Sequence, residues 1–169
     1  MNSLDTPTVA VIADAHLHDI DSDYDGASIT IDGRRVTLRS WADTRRSSRV
    51  FNESHTALVG ALTDIVNRDI KHVVLLGDYA DNGQIEAIER LVTILRHFKD
   101  EYGLNFLALP GNHDFYGPVG KHQSTRFAVS SQQTVLVTSD SKAAEQEPDS
   151  AILTRKMFCL GAPEALLPM

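Results

Sequence analysis

Three short polar clusters carry the reactive side chains of this 169-residue chain. They are Asp14-x-His16, Gly77-Asp78-x-x-Asp81-x-Gly83 and Gly111-Asn112-His113-Asp114. Between them they offer carboxylates, an imidazole and a carboxamide oxygen, a donor set suited to a hard or borderline divalent cation. Asp14 and His16 stand two apart, so in extended backbone both side chains point to the same side. Asp78 has two carboxylate oxygens and could bridge two metals. Two cations about 3.5–4 Å apart form a clamp suited to phosphoryl chemistry. Gly77 and Gly111 let backbone and ligands approach closely, because no Cβ intervenes.

Each cluster follows an apolar run. Residues 8–13 (TVAVIA) read as a strand buried on both faces, residues 72–77 (HVVLLG) as a second buried strand, and residues 105–109 (NFLAL) as a third. Between the strands the period is helical. Leu58, Ala61, Leu62, Ile65 and Val66 share one face within 51–69, and Ile85, Ile88, Leu91, Val92, Leu95 and Phe98 share one within 84–100. Gly103 is the expected stop of the second helix. Strand, helix, strand, helix, strand predicts right-handed βαβ units and a parallel α/β sheet. In such sheets ligands bind at the carboxyl ends of the strands, where all three clusters fall. Residues 28–31 and 35–39 alternate around Asp32-Gly33 and predict a hairpin. The surrounding segment, residues 20–49, reads as an insertion leaving the core. After residue 116 the pattern weakens: 134–138 reads as a strand, 145–149 as a loop, and the last twenty residues show no period.

The ordered set D-x-H, G-D-x-x-D-x-G and G-N-H-D, each ending a strand, resembles the calcineurin-like metallophosphoesterases over residues 9–114. The resemblance implies a β-sandwich flanked by helices that hydrolyses phosphomonoesters or phosphodiesters. Asp14 and His16 would ligate a first metal, Asp78 would bridge two, and Asn112 would ligate the second through its carboxamide oxygen. A metal-bound hydroxide would attack phosphorus. His113 would stabilise developing charge or protonate the leaving oxygen, with Asp114 orienting its ring. A complete site implies two divalent ions, with manganese, iron, zinc and magnesium all open. Members of this family complete the centre with later histidines, usually including a G-H-x-H. Here the last histidine is His122. The chain therefore reads as one partial domain over 1–169, mainly the first βαβαβ half, apparently truncated. The alternative function is a non-catalytic remnant, or a module that binds at most one cation and dimerises to cover its exposed core.

Composition bounds the remaining possibilities. Lys plus Arg 16 against Asp plus Glu 23 gives a net charge of −7, which disfavours a nucleic-acid surface. The expected partner is a phosphate-ester substrate. A single cysteine, Cys159, excludes an intrachain disulfide and the Cys-rich zinc classes. No signal peptide or membrane-length apolar run is visible, so a cytoplasmic location is the default. His18, His55, His72, His97 and His122 read as surface or helix-face residues, and Asp81 as a helix cap. Residues 19–23 begin like a calcium loop, but Tyr24 and Thr30 replace the glycine and glutamate it needs. Arg34, Arg35, Arg45, Arg46 and Arg49 form a basic island. It is either a solvated face or, for some members, a source of donors to a substrate phosphate.

Overall fold

The computed structural model describes residues 7–166. Strand β1 (Val9–Ala13) leads into the hairpin β2 (Ile29–Ile31) and β3 (Arg34–Val36), the short helix α1 (Trp41–Thr44) and helix α2 (Ser54–Asn67). Then come β4 (His72–Leu76), α3 (Ile85–Tyr102) and β5 (Asn105–Leu109). The chain continues through β6 (Ser124–Ala128), β7 (Thr134–Thr138), α4 (Ser141–Glu145), β8 (Ile152–Leu153) and a 3-10 turn at Arg155–Met157. Helix α3 stops at Gly103, whose left-handed φ of 70° lets its N–H bond the Lys99 carbonyl.

β1, β4 and β5 form a parallel sheet in that order, with Val11 opposite Val74 and Val74 opposite Leu107. Both crossovers step in the same direction across this sheet. Right-handed connections then place α2 and α3 on the same face. Leu58 and Leu62 of α2, with Leu91 and Leu95 of α3, bury Val73 and Leu75 there. The other face is open: Val9, Val11, Leu76, Leu107 and Leu109 are 46–59% exposed. The expectation that residues 8–13 are buried on both faces is therefore corrected. The continuous apolar run is present, but the helices cover only one side of it.

A second sheet holds β6 antiparallel to β7 and β7 parallel to β8. Residues 38–40 extend it, since Ala128 N–H bonds Leu38 O and Ser40 N–H bonds Arg126 O, each at 2.9 Å. Tyr24, Ala27, Phe127, Val137 and Met157 make its core, with the Tyr24 and Phe127 rings stacked at 4.9 Å. Residues 20–49, read as leaving the core, thus supply part of a second one. His18 is also buried rather than on the surface: it stacks on Phe127, and its Nε2 lies 2.8 Å from Thr37 O. Among the described residues no helix is long and apolar enough to cross a membrane.

Candidate active site

Backbone pairing continues past the strand ends and fixes the loops that carry the site. Gly77 N–H bonds Leu109 O at 2.7 Å, Asp14 N–H bonds Gly77 O at 3.2 Å, and His16 N–H bonds Asp78 O at 2.8 Å. The chain turns sharply there, with φ of 53° at Asp14, 42° at His16 and 47° at Asp78. Left-handed backbone is uncommon outside glycine, and strain of this kind gathers at functional sites. These turns bring ligand atoms of Asp14, His16 and Asp78 within 4.8 Å of one another. Extended backbone was expected to align Asp14 with His16. They meet instead because both residues are left-handed.

The turn after β5 locks onto this cluster. His113 N–H donates to Asp78 Oδ1 at 2.8 Å. Gly111 sits so close that a Cβ there would overlap the Asp78 carboxylate. Asn112 lies exposed in the same turn. The set passes a test for a cation: His16 Nδ1 is buried without a hydrogen-bond partner, and Asp14 Oδ1 lies 4.0 Å from His16 Nε2. Burial, then Arg49 and His113, hold the His16 imidazole below its ordinary range, favouring the neutral form that ligates metal.

The ring of His113 stands nearly perpendicular to that of His16, centroids 5.0 Å apart. Its Nδ1 lies 3.0 Å from Asn82 Oδ1, an oxygen that also accepts from Tyr116 OH at 3.2 Å. Asp114 was expected to orient this ring, and the structure corrects that role. Its Oδ1 accepts Ala80 N–H at 2.9 Å and its Oδ2 accepts Gly111 N–H at 2.7 Å. Asp114 therefore ties two loops together, and burial pushes its carboxyl up to about 6.

Asp81 is not a helix cap; the N-cap of α3 is Gln84. Its buried carboxylate is paired with Arg39 and Arg49. Arg49 Nη1 also donates to Asp81 O at 3.0 Å and lies 3.4 Å from His113 Nδ1. Arg49, Ser48 and Val50 face Asp14 and His16 across a cleft of about 340 Å³. Sequence reasoning passed over Asn82 and Tyr116. Asn82 fills a variable position of the G-D-x-x-D-x-G motif, where only its neighbours carry a signal.

Asp19, Asp21 and His55 also converge. Asp19 is already met by the His55 ring at 2.7 Å and by Arg90 at 2.6 Å, and Asp21 by Arg34 at 2.6 Å, so two arginines and an imidazole already partner the carboxylates.

Residues 7–159 match the model of the calcineurin-like phosphoesterases, carrying the likeness past Asp114 and through the second sheet. A search of curated proteins returned no match. The three strand-end clusters thus lie inside one match that spans most of the sequence, and the chain belongs to the calcineurin-like phosphoesterase family.

Proposed function

We propose that this chain is a metal-dependent phosphoesterase acting on phosphomonoesters or phosphodiesters at the edge formed by β1, β4 and β5. The observation that carries the reading is the convergence of three left-handed residues, Asp14, His16 and Asp78, on one point beside His113. Asp14, His16 and Asp78 would hold a first divalent cation. Asp78 and Asn112 would contribute to a second. Bound cations would supply Lewis acidity toward phosphate and an activated water. His113 faces the cluster from outside the ligand set. With Asn82 Oδ1 accepting from Nδ1–H, Nε2 is the nitrogen left to face the phosphate, and the doubly protonated ring would donate its Nε2 proton to the leaving oxygen and then regain one from water. Asp78 Oδ1 is fixed by the His113 N–H, so the ligand and the proton-transfer residue are held in one register.

Incubation of the purified chain with Mn²⁺ and bis-p-nitrophenyl phosphate tests the reading. Metal-dependent release of nitrophenolate, abolished by EDTA and by Asp78→Asn, is the expected result. Turnover that survives Asp78→Asn would overturn it. A second reading, a non-catalytic module holding at most one cation, is favoured by the short ligand set. Among the described residues at this edge, the carboxylate and imidazole ligand atoms that lie within 4.8 Å of one another come from Asp14, His16 and Asp78. Its mark would be one bound Mn²⁺ per folded chain and no hydrolysis.

A further inference from the structure

We propose that Arg49 is a substrate-binding residue that grips a non-bridging oxygen of the phosphate bound at the metal edge. The inference rests on the phosphoesterase reading and assigns a role that the three strand-end motifs do not contain. Arg49 comes from the loop between α1 and α2, far in sequence from those motifs. Three contacts nevertheless bring it to them. Its Nη1 donates to Asp81 O at 3.0 Å and Oδ1 at 3.2 Å, and lies 3.4 Å from His113 Nδ1. Its guanidinium carbon stands 4.9 Å from the centre of the Phe51 ring, which carries Arg39 at 4.3 Å. The guanidinium plane is thus held in place before any ligand arrives.

Asp81 does not need Arg49 for neutralisation alone, because buried Arg39 meets its other oxygen. The two arginines differ in access: the Arg39 side chain is 8% exposed and that of Arg49 is 26%. The hydrogen bonds of the Arg49 guanidinium among the described residues run through Nε, to Ser47 Oγ at 3.5 Å, and through Nη1, which leaves Nη2 spare, and Arg49 lines the same cleft as Asp14 and His16. A fixed, partly open guanidinium with a spare donor edge, across a cleft from a cation site, fits a tetrahedral dianion. Metal would hold one side of the phosphate and Arg49 Nη2, as a charged donor, another. The other arginines of the 34–49 segment are placed differently; Arg34, for example, is paired with Asp21.

The test titrates inorganic phosphate into the Mn²⁺-loaded chain by calorimetry, for the wild type, Arg49→Ala and Arg49→Lys. Mn²⁺ binding alone is followed by the electron paramagnetic resonance of the free ion. A charge-assisted hydrogen bond of this kind predicts phosphate affinity about ten- to hundredfold weaker in Arg49→Ala and intermediate in Arg49→Lys. Mn²⁺ affinity should match the wild type, and both variants should stay folded, with the melting temperature lowered alike by loss of one of the two partners of Asp81. Unchanged phosphate affinity in Arg49→Ala would overturn the assignment while leaving the phosphoesterase reading intact. So would a parallel loss of Mn²⁺ binding, which would make Arg49 a support of the metal loops. No Mn²⁺ binding by the folded wild type would overturn the phosphoesterase reading, and this inference with it.

Discussion

Asn82 accepts at the Nδ1 side of His113, while the carboxylate of Asp114 is committed to two backbone N–H groups. An amide in this place orients the ring without adding charge beside it. That leaves Asp81 to organise Arg39 and Arg49. Positioning and electrostatics are thereby divided between neighbouring residues of one loop. Asn82→Ala is expected to lower kcat about ten- to hundredfold, the scale of lost proton-transfer alignment, with KM and Mn²⁺ affinity little changed. Steady-state kinetics with a parallel Mn²⁺ titration checks it; a purely structural role would move the melting temperature and metal affinity together. Gly83 belongs to the same economy of space. Its φ is +62°, and a Cβ there would come within 2.5 Å of the Asp114 carbonyl oxygen.

The strands show how topology decides what an apolar side chain is worth. Leu75 of β4 is fully buried under α2 and α3, whereas Leu107 of β5 is 57% exposed on the opposite face. Both come from β-strands of similar composition. Leu75→Ala should cost about 2–5 kcal/mol through lost burial and a cavity, while Leu107→Thr should fall within about 1 kcal/mol of the wild type. Urea unfolding of the two variants gives the comparison directly. Equal losses would mean that the outer face is covered in solution. The second sheet follows the same logic. Residues 38 and 39, read as the end of the hairpin's second strand, lie beyond β3 and pair with β6 instead, with Arg39 opposite Phe127.

Across the whole molecule, Cys159 ties the segment after β8 to the start of α3 and to the segment before β6. It pairs with Lys121, bridges to Gln84 and is fully buried. Burial pushes its thiol up to about 12. A thiolate is the reactive form, so Cys159 should resist Ellman's reagent in the native state at pH 8 and react fully in denaturant. Rapid labelling of the native chain would mean that this junction opens. The same junction holds the segment after the 3-10 turn against the start of α3, since Ile85 N–H bonds Phe158 O at 3.0 Å. The loop that starts α3 is the one that carries Asp81 and Asn82, and Leu160 N–H bonds Gly83 O in it at 2.8 Å, so residues 158–160 support the site.

The sequence alone determined the parallel three-stranded sheet, its two helices and the three clusters at its edge. Those features are local: apolar runs, helical spacing, and polar motifs at fixed offsets. It also located Asp14, His16, Asp78 and His113, because each sits where a strand must end. Tertiary structure decided the rest. Which face of β1 is covered depends on the direction of two crossovers, which no short window records. That Asp114 binds backbone, that Asn82 meets His113, and that Arg49 reaches the edge from 64 positions away in sequence are consequences of loop packing. Such contacts are made by side chains distant along the chain, and their free energy is gained only once both sheets have closed on the loops between them.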